Sequence, residues 1–535
     1  YKSPLSKENP LNLLGFYTAT AVTPNYYNDR PDAVVDYETP NFGIFNMDDY
    51  CNVHDILLQH NPDLAFKKYF VTDYHHLSLP RMFVMNRIGE DLMPKISKNM
   101  HRINFYQKLY SIDFRTSMFY FKKADFHLFH GLGRHFSCFG QSYNHIPGHG
   151  EITRKDLLTK NSMAWMNKFE QHPTCLQQIN HFPQGLRLDE KQECIRFFSI
   201  INSEQYMKKP PRIKKFIIKT GYDSHRGSGV FILDEVYEKS LREQFDNGAR
   251  CGNVTTKFVA QEYVDPPILY KGYKFDFRMY MLVSSTNPLK IYYHDGFLRV
   301  SLDKYDRTSS TPNVYATNTE LSKEIIKRCD QYNTTYNNMT ANELREFQMK
   351  TMEELAQYLY NTKVVNDTNW LDNYLRPEIK RSFISSIKMI ENSLHTSSNY
   401  FEIFGVDIIL DSQARVKILE INASPMVIGT NARKTKMMRR MLEGLFNIVF
   451  AQQFSRTKRS LNYLQENAED IKNATRSSYH LNQILDRYKN EVEEEYKNMM
   501  TNSTWHMIYD GSLQGPEKYF NLIDPECSRL IDENF

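Results

Sequence analysis

The sequence has no long apolar segment, no paired-cysteine motif and no strong excess of charge. No apolar run approaches the length of a membrane-spanning helix, and Tyr1-Lys-Ser-Pro does not begin a signal peptide. The seven cysteines are scattered and form no Cys-x-x-Cys, which favours a reducing compartment and argues against a zinc knuckle. A net charge of +4 over 535 residues is far below that of proteins that coat nucleic acid. We therefore expect a cytoplasmic protein that binds neither nucleic acid nor membrane.

The chain does have the composition of a globular protein. Hydrophobic residues make up 41% and charged residues 24%. Periodicity predicts a helix over 153–169, mainly strands over 214–302 and mainly helices over 319–395. An amphipathic helix is predicted over 433–452, with Met437, Met441, Leu445 and Ile448 on its apolar side, and one or two more helices over 455–500. We expect the tail after residue 501 to be irregular.

The most informative segment is a predicted β-hairpin over residues 401–422. With its turn near residue 413, Asp407 lies opposite Glu420, and their Cβ atoms are about 5 Å apart. Two carboxylates at that distance repel each other unless a cation or a proton lies between them. Asn422 points to the same face as Glu420 because side chains alternate along a strand. These oxygen donors suit Mg²⁺. The alternative is an exposed strand face with solvated acids.

A lysine and a glycine-containing loop come earlier in the chain. A strand ending at Lys219 leads into a loop that contains Arg226, Gly227 and Gly229, and a second strand follows. Glycine lets the backbone approach a ligand closely, and successive N–H groups can bind an anion. The pattern is typical of a lid over phosphates. An ordinary hairpin turn with basic residues is the alternative.

A polar stripe follows on a third predicted strand. Lys274, Asp276 and Arg278 alternate with apolar residues, so they share one face, and the opposite face is expected to be core. A solvated ladder of salt bridges is the alternative. The next strand carries Arg299 just beyond an Asp-Gly turn.

The order of these elements resembles the ATP-grasp ligases, and specifically the tubulin tyrosine ligase-like family, from about residue 140 to residue 450. The matching pieces are Asn144-His145-Ile-Pro147, Ile152-Thr-Arg-Lys155-Asp156, Phe182-Pro183, Ile217-Ile-Lys219, Arg226-Gly-Ser-Gly229, Gln261-Glu-Tyr263, Lys274-Phe-Asp276-Phe-Arg278, Leu298-Arg299, Ala316-Thr317-Asn318, Phe404-Gly-Val-Asp407 and Leu419-Glu420-Ile-Asn422-Ala-Ser-Pro425. The spacing from Asp407 to Glu420 and Asn422 is the most specific of them.

The resemblance implies an α+β fold with an ATP-grasp-type core of antiparallel sheets and helices. The implied segments are an N-terminal extension of unknown role at 1–110, the family's N-terminal domain at 111–213, a central ATP-grasp domain at 214–272, a C-terminal ATP-grasp domain with the metal site at 273–452, and a helical C-terminal extension at 453–535.

The resemblance also implies residue roles in three groups. The ATP-binding group is Lys219, Arg226, Gly227, Gly229, Gln261, Glu262, Val264, Lys274, Asp276, Thr317 and Asn318. The catalytic group is Lys274, Arg278, Arg299 and Glu420. The Mg²⁺ ligands are Asp407, Glu420 and Asn422. Within these groups, Arg299 is expected to meet an acidic substrate, and Glu262 and Val264 are expected to line the adenine through their main chains.

The implied reaction is the ATP-dependent addition of amino acids to carboxylates of tubulin tails through an acyl phosphate. Such a ligase needs positioning and charge neutralisation but no nucleophilic side chain. Glutamate is the expected donor, and glycine is the alternative. The expected location is the cytoplasm and the cytoskeleton, with a cilium, axoneme or basal body as more specific options.

Two further features of the sequence bear on the mode of action. Thr220 and Glu262 depart from the family pattern, which keeps open a catalytically weak or inactive member that acts as a structural microtubule- or axoneme-binding protein. A second feature is a run of basic residues that could dock on acidic tubulin, with an ordinary solvated face as the alternative. These residues are Arg433, Lys434, Lys436, Arg439, Arg440, Arg456, Lys458 and Arg459.

Overall fold

The computed structural model describes residues 145–533 with interruptions, mainly within 204–215, 222–228, 308–318, 424–430 and 443–502. It also describes three short strands upstream, which pair in parallel: β1 Phe70–Val71, β2 Phe119–Phe121 and β3 Ser142–Tyr143. The predicted helices over 455–500 lie outside the described residues.

Two antiparallel sheets with helices form most of the described part of the chain. The strands of the smaller sheet are β4 Gly185–Arg187, β5 Phe216–Thr220, β6 Val230–Ile232 and β7 Phe258–Glu262, in the order β4-β7-β5-β6. The strands of the larger sheet are β8 Leu269–Tyr270, β9 Tyr273–Thr286, β10 Leu289–Lys304, β11 Met349–Lys350, β12 Glu402–Leu410, β13 Val416–Asn422 and β14 His506–Asp510. Its central order is β11-β10-β9-β12-β13, with β14 on β10 and β8 on β9. The expected α+β class is confirmed.

The helices lie between and over these strands. They are α1 Gly150–Thr153, α2 Lys155–Lys168, α3 Pro173–Ile179, α4 Lys191–Ile201, α5 Glu235–Phe245, α6 Thr319–Tyr332, α7 Ala341–Gln348, α8 Met352–Asn361, α9 Arg376–Lys388 and α10 Pro525–Glu533. The helix predicted at 153–169 and the helical region at 319–395 are confirmed. Helix α5 interrupts the stretch that we expected to be mainly strands.

Helix α5 is stabilised at its start and along its buried side. The Asp234 carboxylate accepts a hydrogen bond from the backbone N–H of Tyr237, which satisfies one of the free donors of the first turn. Leu241 and Phe245 then pack on the smaller sheet together with side chains of α4. The helix therefore completes the core of the smaller sheet.

The core of the larger sheet follows the alternation of β9. Phe275, Phe277 and Met279 are fully buried on one face, as the alternating pattern predicts. Helix α9 packs against β10 and contributes Phe383 and Ile387 to the same cluster. Burial of each such side chain contributes about 1.5–3 kcal/mol. This packing fixes which face of β9 carries the polar stripe.

The predicted hairpin and its register are confirmed. Strands β12 and β13 are antiparallel, and Asp407 lies opposite Glu420. In the turn, the Asp411 carboxylate accepts hydrogen bonds from the N–H groups of Gln413 and Arg415, and Ala414 has a positive φ of 61°. Local side-chain bonds of this kind are what make Asp favourable at a turn.

The amphipathic helix predicted over 433–452 is supported where the chain is described. Residues 432–442 are helical. Met441, Leu445 and Ile448 are buried as predicted, but Met438 is buried where Met437 was expected, and Met437 is only partly covered.

Other expectations are corrected by the structure. The tail after residue 501 is not irregular, because β14 adds to the larger sheet and α10 packs on α3. Four cysteines, which we expected to be reduced, form disulfides: Cys175 with Cys527, and Cys194 with Cys251. Among the described residues, no helix combines the length and the apolar character that crossing a membrane requires.

A glycine in the bulge of β10 offers a test of this packing. A Cβ atom on Gly296 would lie 1.7 Å from the carbonyl oxygen of Arg278, in the central strand β9. We expect Gly296→Ala to lower the free energy of unfolding by about 3 kcal/mol or more, because backbone rather than a flexible side chain has to move. The measurement is the midpoint of urea unfolding.

The control for this test is Gly150→Ala at the start of α1. Nothing lies within 4 Å of a Cβ atom at this position, so its effect should stay within about 1 kcal/mol. Equal midpoints for the Gly296 variant and the parent would contradict the placement of β10 against β9.

Candidate functional site

The polar face of β9 meets complementary charges on both neighbouring strands. Arg278 lies opposite Asp407 of β12, and Asp276 lies opposite Arg299 of β10. Side chains that face each other across adjacent strands are about 5 Å apart at Cβ, which suits ion pairs. The antiparallel register therefore brings two arginines and two aspartates together.

These charges form a continuous network, which we call the arginine–aspartate network and which also includes Thr317. Arg278 donates to both oxygens of Asp407, at 2.5 and 3.1 Å. Arg299 donates to both oxygens of Asp276, at 2.7 and 2.6 Å, and its Nη2 lies 2.9 Å from Asp407. The Thr317 hydroxyl donates to Asp276 at 2.5 Å. Asp407 thus joins both arginines.

Burial makes this network costly to disrupt. Asp276, Arg299 and Asp407 are each less than one tenth exposed. Burial by itself would raise the pKa of the Asp407 carboxyl, but Arg278 and Arg299 outweigh it and lower that pKa below its ordinary value. The same pairing raises the pKa of Arg299. Asp407 and Arg299 therefore stay charged at neutral pH, and the interpretations of a solvated acid face and a solvated ladder are wrong for these buried residues.

Lys219 connects the two sheets at this point. Its ammonium donates to the Gln261 side-chain oxygen at 2.6 Å and to the Leu419 carbonyl oxygen at 3.0 Å. The residue is 6% exposed, and burial lowers the pKa of Lys219 to about 8, although the nearby Glu420 charge opposes this. The lysine of the smaller sheet thus lies beside the acidic hairpin, as the predicted site requires.

The oxygen donors predicted for Mg²⁺ lie together on the hairpin. Glu420 is partly exposed, and one of its oxygens is 3.7 Å from the ammonium of Lys155. The Asn422 amide nitrogen contacts the Gly405 carbonyl at 3.4 Å, which leaves its oxygen for another partner. Each Asp407 oxygen accepts a hydrogen bond from an arginine but retains a lone pair for a further partner. Carboxylate and amide oxygens in this arrangement fit a hard cation.

The remaining candidates for ATP binding have different surroundings. Lys274 is buried, and its ammonium donates to the Tyr263 hydroxyl at 2.9 Å. Glu262 is exposed, and its backbone N–H already donates to the Gln184 carbonyl. Val264 is half-buried and Gly229 has a φ of 77°. Arg226, Gly227 and Asn318 lie outside the described residues.

The basic face predicted on the 433–452 helix is only partly on the surface. Lys434 is 7% exposed, and its ammonium lies 5.1 Å from the centre of the Phe297 ring. Burial lowers the pKa of Lys434 to about 8, and the nearby Arg278 and Arg299 add to the effect. Arg433 pairs with Glu354. Lys436, Arg439 and Arg440 are exposed as expected, whereas Arg456, Lys458 and Arg459 lie outside the described residues.

Sequence reasoning missed a cavity beside Lys434. A cavity of about 270 Å³ lies next to the network and is lined on several sides by cations. Its lining includes Phe297, Lys323, Lys327, Arg345 and Lys434, and also Asp330, which pairs with Arg345. These residues come from β10, α6, α7 and the 432–442 helix, so no local motif could have indicated it.

The chain matches a known family over most of the described residues. The protein-family model described as "Tubulin-tyrosine ligase family" matches residues 135–459. That range contains the arginine–aspartate network, Lys219 and the acidic hairpin. The strand β14 and the helix α10 lie beyond it.

Similar curated proteins are named for tubulin modification. "Probable alpha-tubulin polyglutamylase Ttll1" of Tetrahymena thermophila is 26% identical over 322 residues, which cover 58% of this chain and 72% of that protein. "Tubulin polyglutamylase TTLL7" of Mus musculus is 27% identical over 300 residues, 53% of this chain and 29% of that protein. "Tubulin glycylase 3E" of Tetrahymena thermophila is 27% identical over 296 residues, 52% of this chain and 19% of that protein. The chain thus spans less than a third of the last two.

One solved structure also resembles the chain. It is described as the C-terminal domain from K. lactis Pby1, an ATP-grasp enzyme interacting with the mRNA decapping enzyme Dcp2. It covers 72% of this chain and 93% of its own, with a TM-score of 0.43 and 16% identity. At that similarity it carries no argument about this chain.

The network can be tested by removing its shared arginine. Arg299→Met leaves Asp276 and Asp407 buried with one cation fewer, and we expect a loss of about 3–5 kcal/mol in the free energy of unfolding. The matched control is Arg328→Met, since Arg328 also binds a carboxylate, that of Glu324, but both side chains are largely exposed. The control should cost about 1 kcal/mol or less. Equal losses in the two variants, measured by chemical unfolding, would contradict the network.

Proposed function

This chain belongs to the tubulin-tyrosine ligase family, and we propose that it is an ATP- and Mg²⁺-dependent ligase that adds amino acids to carboxylates of tubulin tails. The proposed donor is glutamate, and the proposed path runs through an acyl phosphate on the acceptor. The observation that carries the proposal is the position of Lys219 beside the acidic hairpin and the arginine–aspartate network. Ligases of this kind need a cationic phosphate site next to oxygen donors for a metal.

The roles of the charged residues follow from where they lie. Lys219 would contact the phosphates of ATP, since its ammonium already sits between the two sheets. Glu420 and Asn422, with Asp407 behind them, would hold Mg²⁺. When bound, Mg²⁺ supplies positive charge that stabilises a transferring phosphoryl group. Arg278 would add a fixed cation at the same place, because Asp407 holds its guanidinium in position.

The other predicted nucleotide contacts remain part of the proposal. Gln261 and the main chain of Glu262 and Val264 would line the adenine, and Lys274 would meet phosphate after leaving Tyr263. Arg299 was expected to meet the acidic substrate, but its guanidinium is engaged by Asp276 and Asp407. We propose that it acts by holding these carboxylates.

The cation-lined cavity supports glutamate as the donor. Lys323, Lys327 and Lys434 line a space beside Phe297 that would attract a side-chain carboxylate as well as an α-carboxylate, although Asp330 and its partner Arg345 also line it. Two of the relatives described above are also named as polyglutamylases. Glycine is the second candidate, because a relative named as a glycylase is as similar to this chain as those are.

The proposed protein partner is tubulin, within the cytoskeleton. The acidic tails would approach the exposed cations Lys436, Arg439 and Arg440 and the cavity beyond them. Association at a cilium, axoneme or basal body is a finer proposal that follows from the relatives' substrate and not from any residue of this chain.

The function is tested by incubating the full chain with ATP, Mg²⁺, microtubules and radiolabelled glutamate or glycine. We expect ATP-dependent transfer of glutamate to tubulin, and a loss of about a hundredfold or more in Glu420→Gln, because the ligand charge for the metal is removed. Glu526→Gln, an exposed acid on α10, is the matched control and should keep full activity.

The results of this assay separate the alternatives. Transfer of glycine alone would replace glutamate with the second candidate. Full turnover in Glu420→Gln would remove the metal assignment. Absence of transfer, together with no thermal shift on addition of ATP and Mg²⁺, would favour a structural microtubule-binding protein.

A pH dependence follows from the buried lysine. Lys219 titrates near pH 8 in the folded chain and near 10.4 when unfolded, so in this interval the unfolded state binds more protons and stability without nucleotide rises with pH. A bound phosphate favours the charged form of Lys219, so above pH 8 the protein should take up a proton when it binds ATP. We expect the affinity for ATP to fall about tenfold between pH 7 and pH 9.

Calorimetry at several pH values checks this expectation. The arginine of the Lys219→Arg variant stays charged at all these pH values, so the affinity of this variant for ATP should depend less on pH. Lys239→Arg, which changes an exposed lysine of α5, should behave as the parent does. Because Lys434 is intact in Lys219→Arg, a weaker pH dependence in that variant assigns the effect to Lys219. The same pH profile in the parent and in Lys219→Arg would show that Lys219 does not bind the phosphates.

A further inference from the structure

A buried glutamate occupies the apolar face of strand β12. Glu402 is 0% exposed and lies on the same side of the strand as Phe404, Val406 and Ile408, which belong to the main core. Asp407 points to the opposite face because side chains alternate. Glu402 is therefore separate from the proposed nucleotide site. An ionised carboxylate in such a place requires charge compensation.

Two histidines from the segment before α1 supply that compensation. The Nδ1 atom of His145 lies 3.1 Å from Oε1 of Glu402. The Nδ1 atom of His149 lies 2.7 Å from Oε1 and 2.8 Å from Oε2. The backbone N–H of Ile146 donates to Oε2 at 2.9 Å. The two rings lower the pKa of the Glu402 carboxyl, against burial, which would raise it.

The three side chains meet through atoms that can all bind a metal. Both imidazoles present Nδ1 to the same carboxylate, and the three ligand atoms lie within 4.8 Å of one another. The backbone N–H of Ile146 holds Oε2, so Oε1 faces both rings. Two imidazoles and one carboxylate form a set that binds zinc, whereas magnesium prefers oxygen donors alone.

We propose that His145, His149 and Glu402 form a Zn²⁺ site that joins the segment before α1 to strand β12. The metal would take Nδ1 of each ring and Oε1 of Glu402, with the ring protons on Nε2 and a water as fourth ligand. The proposal does not depend on the ligase activity. It assigns an ion to the face of β12 opposite that of Asp407.

The three side chains could bind a zinc ion after small movements. Bonds of about 2.0–2.1 Å in tetrahedral zinc place neighbouring ligand atoms about 3.3 Å apart. The observed separations from Oε1 are 2.7 Å to Nδ1 of His149 and 3.1 Å to Nδ1 of His145, so they are shorter by about 0.6 and 0.2 Å. The His149 side chain is 13% exposed, whereas those of His145 and Glu402 are almost fully buried, so an ion and its water would enter past His149.

The test uses the full chain, freed of metal with a chelator and dialysed into buffer with excess Mg²⁺. Titration with Zn²⁺ should show one bound ion per chain and a rise in the midpoint of thermal unfolding. Co²⁺ in place of Zn²⁺ should give the visible absorption of a tetrahedral centre. His149→Asn and Glu402→Gln should weaken Zn²⁺ binding at least tenfold.

Two controls make the outcome decisive. His172→Asn removes an exposed histidine, and Glu420→Gln removes a donor of the proposed Mg²⁺ site, so both should bind Zn²⁺ as the parent does. Circular dichroism verifies that each variant folds. If Glu402→Gln does not fold, the result for His149→Asn, which changes the least buried ligand, decides the test. The proposal is overturned if the parent binds no stoichiometric Zn²⁺, if His149→Asn retains binding, or if either control loses it.

Discussion

The pairing of Arg278 with Asp407 is the interaction on which the rest of the site depends. These residues face each other on the two central strands β9 and β12, and their side chains are only 15% and 12% exposed. Neither charge could be buried alone, because each would lose its hydration without compensation. The apolar alternation of β9 commits Arg278 to the polar face, and the register of β12 supplies its partner. Packing and electrostatics therefore specify the same strand arrangement.

This constraint determines where the hairpin places its other groups. With Asp407 held by β9, the turn brings β13 back so that Glu420 and Asn422 lie beside it. Leu419 then offers its carbonyl oxygen to Lys219 from the smaller sheet. One lysine thus connects the two sheets at the point where positive and negative groups are both needed. A rigid arrangement of this kind is what charge stabilisation of phosphoryl transfer requires.

Local pattern predicted the hairpin, its register and the shared face of the β9 stripe, because alternation and turn chemistry act over a few residues. It could not predict the partners: Arg299 was expected to meet substrate but binds Asp276 and Asp407, and Lys434 was expected at the surface but is buried. Such contacts join segments far apart in the chain, and one sequence shows which face a residue occupies but not what packs against it. The buried His145–Glu402 contact was missed for the same reason.

A crystal structure of the full chain with Mn²⁺ and a non-hydrolysable ATP analogue would show directly whether the acidic hairpin binds the metal. We expect an anomalous peak bound by Glu420 and Asn422, with Asp407 still paired to Arg278 and the Lys219 ammonium on a phosphate oxygen. A metal and nucleotide bound elsewhere, or a Glu420 carboxylate turned into solvent away from the peak, would contradict it.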